Sequence, residues 1–133
     1  MSNHYADIDG YSLADFIHEL PFYLGNVMKY AWRAPLKGCV DDTLKLIDYL
    51  AMARAQWVEY RLSDSAIECL SEISRYDFYS GYEGLDRAHR RVIASAATLI
   101  LDSEGAGAIN KVSEKILEVD IPLLQIALKR NKI

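Results

Sequence analysis

The spacing of apolar residues in this chain follows the α-helical period along nearly its whole length. Apolar side chains recur three and four positions apart, and no segment shows the alternation that is typical of a β-strand. Only three prolines and seven glycines interrupt the 133 residues, which favours long regular elements. We therefore predict an all-α fold, a single-domain helical bundle of five to seven helices.

Helix starts and stops can be placed from capping residues, proline and glycine. Ser12 and Ser63 are suitable N-caps, Pro21 suits a first turn, and Glu104-Gly-Ala-Gly107 breaks a helix. Pro35 to Cys39 is predicted as a loop, and the aromatic-rich Arg75 to Glu83 as a packed loop. Helices are predicted over residues 13–20, 22–34, 41–61, 64–74, 84–102, 109–119 and 121–129.

The short connection between residues 35 and 40 predicts that helices 22–34 and 41–61 pack antiparallel as a hairpin. For the second of these helices, the pattern places six residues near one buried face: Leu44, Ile47, Leu50, Ala51, Arg54 and Val58.

Composition and charge exclude several classes of protein. Hydrophobic residues make up 51% and charged residues 26%, as in a globular protein. A net charge of −4 argues against binding a nucleic-acid backbone, and no apolar run is long enough to cross a membrane. The first five residues lack the basic and apolar regions of a signal peptide, so we expect none, and Cys39 and Cys69 have no metal-type spacing. We predict a cytoplasmic protein with reduced thiols and no nucleic-acid or membrane partner.

The segment Tyr23 to Gly38, the signature segment, carries a polar stripe on an otherwise apolar helix. Asn26, Lys29, Tyr30 and Arg33 lie at helical offsets 0, 3, 4 and 7, so they share one face. Lys37 adds a cation near the end of the segment. An amide, a phenol and these cations can hold an anion such as a phosphate, or a carboxylate of the same chain.

The signature segment resembles a small bacteriophage domain family of unknown function, whose members are often labelled nucleotide kinases. The residues that carry the resemblance read Gly-Asn-x-x-Lys-Tyr-x-x-Arg-Ala-x-x-Lys-Gly over Gly25 to Gly38, with His4-Tyr5 before them. Asp42, Lys45, Tyr49 and Leu50 match the helix that follows in the family, whereas Thr43 and Leu46 depart from it. The resemblance covers residues 4–52 as a signature hairpin, and residues 60–133 are the C-terminal helices of the same domain.

The resemblance implies a phage-encoded protein of nucleotide metabolism that acts in the cytoplasm of an infected bacterial host. It would bind deoxynucleoside monophosphates and act as a kinase without a Walker motif, since the chain lacks a phosphate loop. Lys29, Arg33 and Asp42 would then be catalytic, and Asp42 or Asp48 would hold Mg²⁺. The ligand would be bound by five further residues: Asn26, Tyr30, Lys37, His4 and Tyr5.

Two alternatives stay open at this stage. Arg33 and Lys29 can instead pair with Asp41, Asp42 or Asp48 as a buried clasp that fixes the register of the hairpin. The protein can also be a non-enzymatic interaction protein that binds a host protein or sequesters a nucleotide-like ligand, which its nine tyrosines would suit.

The basic cluster Asp86 to Arg91 is either a charged outer face or a second phosphate contact.

The C-terminal half has more apolar residues than one small bundle needs, in Val92 to Leu101 and Ile116 to Leu128. Apolar surface beyond the needs of the core favours self-association. We therefore predict a homo-oligomer, most simply a two-fold dimer.

Overall fold

Helices form nearly all the regular structure in the computed structural model, which describes residues 6–37 and 40–131, with the side chains of 36 and 37 excepted. Within these ranges, β pairing is limited to an isolated bridge between Ile8 and Tyr11, so the all-α prediction is confirmed. Two 3₁₀ turns, Leu13–Asp15 and Ile17–Glu19, precede the first α-helix. The α-helices are α1 (Phe22–Lys37), α2 (Asp41–Ala55), α3 (Asp64–Ile73), α4 (Asp77–Ser80), α5 (Gly84–Ser103), α6 (Val112–Lys115) and α7 (Ile121–Arg130).

Helices α1 and α2 form the antiparallel hairpin predicted from their short connection. Arg33, near the end of α1, bonds to Asp42 in the first turn of α2. Phe22, at the start of α1, instead contacts Tyr49 in the second half of α2, with 6.2 Å between the ring centroids. Because the end of α1 contacts the start of α2 and the start of α1 contacts the second half of α2, the two helices run in opposite directions.

Helix α5 lies at the centre of the fold, because α1, α3, α4 and α7 all pack against it. On the α1 side, the Trp32 ring is fully buried and meets the Phe16 ring edge-on at 6.4 Å between centroids. The indole N–H of Trp32 donates to the Ala6 carbonyl at 2.9 Å. The apolar residues that α5 buries most completely are Val92, Ile93, Ala97, Leu99 and Ile100.

The prediction that α1 stops at Pro35 is wrong, because the helix continues to Lys37 with Pro35 inside its last turn. Proline has no N–H, so the Ala31 carbonyl loses its usual donor four residues later. His89 of α5 lies against this turn: its Nε2 is 2.8 Å from the Trp32 carbonyl oxygen, and it also hydrogen-bonds to the Ala31 carbonyl. A tertiary donor thus stabilises carbonyls near the proline.

Two N-terminal predictions also need correction. The predicted helix over residues 13–20 is a pair of 3₁₀ turns, although Ser12 does cap the first by accepting the Ala14 N–H. Helix α2 ends at Ala55 and not at Arg61, and it buries Leu46, Leu50 and Ala53 while Leu44 is 50% exposed. Apolar residues of α2 occur on several sides of the helix, so their spacing alone led to the wrong prediction of its buried face.

The second half of the chain follows the prediction more closely. Ser63 caps α3 by accepting the Ala66 N–H, and α5 covers the predicted range with one residue added. The aromatic-rich connection between α3 and α5 contains the single helical turn α4. The two predicted C-terminal helices are joined: a π-helical turn, Ile116–Asp120, links α6 directly to α7.

Candidate functional site

The Arg33–Asp42 ion pair is the central contact of the signature segment. Arg33 Nε donates to Asp42 Oδ2 at 3.0 Å and Nη2 donates to Oδ1 at 3.3 Å, a two-pronged geometry. The Asp42 side chain is 1% exposed and that of Arg33 is 15% exposed. Asp42 also lies in the first turn of α2, where the helix dipole favours a negative charge. The geometry is that of the clasp, with a carboxylate of the same chain in the position that an external anion would take.

Four aromatic side chains on the outer face of the hairpin form what we call the aromatic surface: Phe22, Tyr23, Tyr30 and Tyr49. The Tyr30 and Tyr49 rings are stacked, with centroids 5.4 Å apart and planes 13° apart. Phe22 is 69% exposed, and the three tyrosines are partly exposed. Partly exposed rings in one cluster offer π-faces on which a nucleobase or another aromatic group can stack.

Two cations flank the aromatic surface. The Arg33 guanidinium carbon is 5.0 Å from the Tyr30 ring centroid, and Lys45 Nζ is 5.6 Å from the same centroid. Both distances fall within cation–π range. Lys45 was predicted only as a match to the family pattern, and the structure adds it to the group of candidate ligand contacts because α2 folds back beside Tyr30.

Not all of the predicted site residues converge. Asn26 Nδ2 donates to the Phe22 carbonyl at 2.9 Å, so its amide is engaged with its own helix. Lys29 is partly buried on α1. His4, Tyr5 and the Lys37 side chain lie outside the described residues, and their predicted ligand contacts stay predictions.

The predicted Mg²⁺ ligands, Asp42 and Asp48, are not brought together. They are six residues apart on α2, which places them about 120° apart around the helix axis. Asp42 is buried against Arg33, whereas Asp48 is exposed. Among the described residues no group of three or more His, Cys, Asp or Glu side chains could hold a metal ion. Mg²⁺ binding stays a prediction and would need oxygen ligands from a bound phosphate.

Sequence reasoning missed His89, which connects α5 to the end of α1. It was assigned to a basic cluster, yet it is almost fully buried. Burial lowers the pKa of His89 to about 4, outweighing the carbonyl bonds that favour its protonated form. The imidazole is therefore neutral at physiological pH and donates from Nε2. Because its neighbours in sequence include several arginines, the sequence pattern did not indicate that it is buried.

A second missed contact ties the N-terminal segment to α5. Asp9 accepts from Arg90 Nε at 3.1 Å and Nη2 at 3.2 Å, and from the Tyr82 hydroxyl at 2.6 Å. Partial burial raises the pKa of Asp9, but the hydrogen bonds from Arg90 and Tyr82 outweigh it and leave that pKa below its ordinary value. This part of the basic cluster is therefore structural.

Comparison with known proteins supports the part of the resemblance that concerns a domain of unknown function. Residues 1–51 match the sequence profile of a family described as "Protein of unknown function (DUF3310)". The matched stretch contains α1 and most of α2, and with them the Arg33–Asp42 pair and the aromatic surface. No curated protein and no solved structure matches the chain. Within the described residues, no helix combines the length and apolar character needed to cross a membrane.

Proposed function

We propose that the protein binds a deoxynucleoside monophosphate on the outer face of the α1–α2 hairpin. The observation that carries the proposal is the aromatic surface with Arg33 and Lys45 beside Tyr30. The base would stack on the exposed rings, a contact worth about 1–3 kcal/mol. Lys29 and Lys45 would neutralise the phosphate, since Arg33 is engaged by Asp42. The resemblance to a phage family supports a role in the cytoplasm of an infected bacterium.

Nucleotide binding is tested by thermal shift with each of the four deoxynucleoside monophosphates. A ligand at one hundred times its Kd stabilises the fold by about 2.7 kcal/mol, which is several degrees in Tm for a chain of this size. Tyr49→Ala should weaken binding, whereas Tyr76→Ala, at an exposed ring outside the hairpin, should not. Tm values that none of the four nucleotides raises would reject the proposal.

Kinase activity is a further step of the same proposal. A phosphate oxygen of the bound monophosphate would attack the γ-phosphorus of ATP, and ADP would leave as the bond to its β-phosphate oxygen breaks. Lys29 and Lys37 would stabilise the transferring group, and Asp48 would help to hold Mg²⁺, which would supply positive charge to the phosphates. Incubation with ATP, Mg²⁺ and each monophosphate should yield the diphosphate. Binding without turnover would leave the binding proposal standing and reject the kinase.

Exposed apolar side chains support a second candidate function, an interaction protein without catalysis. Phe22, Leu44, Met52 and Val58 are all more than 40% exposed, and they belong to the hairpin and the loop after it. Surface apolar and aromatic groups of this kind are enriched at protein interfaces. The partner would be a host protein or a second copy of this chain. Indifference to every nucleotide, together with concentration-dependent sedimentation, would favour this candidate.

A further inference from the structure

A cleft between the start of α5 and the end of α7, which we call the arginine cleft, carries a concentration of positive charge. It encloses about 380 Å³, and its lining includes Arg87, Arg91 and Arg130 beside an apolar wall of Leu123 and Ile126. Among the described residues that line the cleft, none is acidic. The whole chain carries a net charge of −4, so three converging arginines are not a reflection of overall composition.

Arg87 and Arg91 lie on the same face of α5, and both guanidinium groups contact the Tyr79 ring. They are one turn apart on α5, and each guanidinium carbon is 5.7 Å from the centroid of the Tyr79 ring. Like charges at this helical spacing repel each other, and the Asp120 carboxylate, 3.9 Å from Arg91 Nε, offsets the charge of Arg91 alone. An anion bound between the two guanidinium groups would reduce the repulsion further.

Asp120 holds Arg91 from the buried side of the cleft. The Asp120 carboxylate is fully buried, and its Oδ1 lies 3.9 Å from Arg91 Nε. Arg91 Nε and the two carboxylate oxygens of Asp120 have no hydrogen-bond partner among the described residues. Lys115 Nζ is 3.7 Å from the same carboxylate. Asp120 thus holds Arg91 in place and balances part of its charge, and the π-helical turn that ends at Asp120 is of a kind that is frequent at functional sites.

We propose that this cleft binds the phosphate group of a small organic phosphate, whose apolar or ring portion packs on Leu123 and Ile126. The planar guanidinium fork of arginine matches phosphate oxygens, and three of them favour a dianion over a carboxylate. Gly84, the first residue of the 20-residue helix α5, also lines the cleft, so the positive end of the helix dipole adds to the site. If a second copy of the chain occupied the cleft instead, it would have to place carboxylates beside all three arginines.

The site is separate from the aromatic surface, and its test is independent of the proposed nucleotide function. Isotope-labelled protein is titrated with inorganic phosphate, phenyl phosphate and benzoate while backbone amide shifts are followed. We expect phosphate to shift the amides of Gly84, Leu123 and Asn131, and phenyl phosphate to bind about ten-fold more tightly because its ring buries apolar surface. Benzoate, with the same ring and one negative charge, should bind more weakly than phenyl phosphate.

Variants assign the binding to the arginines. Arg87→Gln or Arg130→Gln should weaken phenyl phosphate binding roughly ten- to a hundred-fold, as expected for the loss of a charge-assisted bond. Arg61→Gln, at an exposed position outside the cleft, is the matched control and should bind like the parent protein. Thermal melts of each variant check that the fold is retained.

Three results would overturn the proposal. The first is the absence of shifts at the cleft with any of the three probes. The second is equal binding by the arginine variants and the control. The third is a dimer in sedimentation that Arg130→Gln dissociates, since that would show the cleft to be covered by a second copy. Leu123→Ser refines a positive result: it should reduce phenyl phosphate affinity to that of inorganic phosphate.

Discussion

At the scale of single residues, the Arg33–Asp42 pair links the stability of the hairpin to any chemistry on it. The pair makes two hydrogen bonds and is almost completely buried. If either residue is replaced by a neutral one, the charge of the other is left unpaired in a poorly solvated site. Arg33 is also within cation–π distance of Tyr30. The pair therefore fixes the hairpin register and positions one edge of the aromatic surface.

Arg33→Ala should lower the free energy of unfolding by about 3 to 5 kcal/mol, because it leaves the Asp42 carboxylate buried without its partner. Urea denaturation measures the loss. The double variant Arg33→Ala with Asp42→Asn should recover part of it, since no charge is then stranded. A near-normal Tm with lost nucleotide binding would show that Arg33 is chiefly a ligand contact.

The buried imidazole of His89 predicts a specific pH dependence of stability. Its pKa is lowered to about 4, below the ordinary value of 6.5, so the unfolded chain binds a proton that the folded chain does not. Stability should therefore fall as pH decreases from about 6.5 to about 4, with a slope of up to about 1.4 kcal/mol per pH unit from this group. Above pH 7 the contribution is constant.

Denaturation midpoints measured across this pH range test the assignment. His89→Gln keeps a donor for the Trp32 carbonyl but cannot titrate, so it should flatten the slope. His18→Gln changes an exposed imidazole and should leave the slope as it is in the parent protein. A slope that survives His89→Gln would mean that other groups cause it.

The sequence could predict only part of this residue-level picture. The stripe on α1 and the acidic start of α2 predicted the Arg33–Asp42 pair as one of two alternatives, because a short hairpin brings those positions together. His89 and the arginine cleft depend on contacts between residues far apart in sequence, such as Trp32 with His89 and Arg91 with Asp120. Local periodicity contains no information on those contacts.

At the scale of elements, the extended stretch between α2 and α3 shows how tertiary contacts override helical propensity. The buried Tyr60 hydroxyl donates to the Ile100 carbonyl at 2.6 Å, and burial raises the pKa of this phenol. Glu104 accepts the Leu62 N–H, and Glu19 accepts both the N–H and the hydroxyl of Ser63. A helix continued to Arg61 would forgo this whole set of bonds.

Tyr60→Phe should cost about 1 to 3 kcal/mol of unfolding free energy. Ile100 is in the last turn of α5, where carbonyls have no partner within the helix, so losing the hydroxyl leaves a buried acceptor unpaired. Urea denaturation measures the change. Tyr76→Phe, which removes a hydroxyl from an exposed ring, should be neutral. Equal costs for the two variants would contradict the assigned role of Tyr60.

Helix α3, which has a local start signal in its Ser63 cap and one apolar face, was predicted well from sequence, and so was the long, largely buried helix α5. Element ends were predicted poorly wherever a distant residue decides them. Pro35 is a reliable stop signal only when no outside donor lies near the freed carbonyl, and here His89 supplies one. The end of α2 depends in the same way on Ile100, Glu104 and Glu19.

At the scale of the whole molecule, the apolar surplus that predicted a homo-oligomer is largely used inside the chain. The segment Val92 to Leu101 is buried in the core, apart from Thr98 and Leu101, which are partly exposed. What remains on the C-terminal helices is a narrow stripe of Val119, Leu123 and Ile126, each about 40% to 50% exposed. Self-association stays a prediction, and we expect it at Val119, because Leu123 and Ile126 line the arginine cleft and Val119 does not.

Val119→Lys should dissociate such a dimer, because it places a charge in the apolar stripe without altering the arginine cleft. Analytical ultracentrifugation at micromolar concentration, with the parent protein beside it, gives the result. Tyr76→Lys changes an exposed tyrosine between α3 and α4, outside both apolar surfaces, and serves as the control. Parent protein that sediments only as a monomer would reject the homo-oligomer.

The packing of Trp32 determines how short a piece of this chain we expect to fold on its own. It lies within the stretch matched to the DUF3310 family, yet its carbonyl is held by His89, 57 residues further along, and α5 covers its side of α1. A peptide ending after α2 would expose this face to water and should show no sharp thermal transition by circular dichroism. We therefore expect the cooperative folding unit to be longer than the matched stretch, residues 1–51, and to include α5.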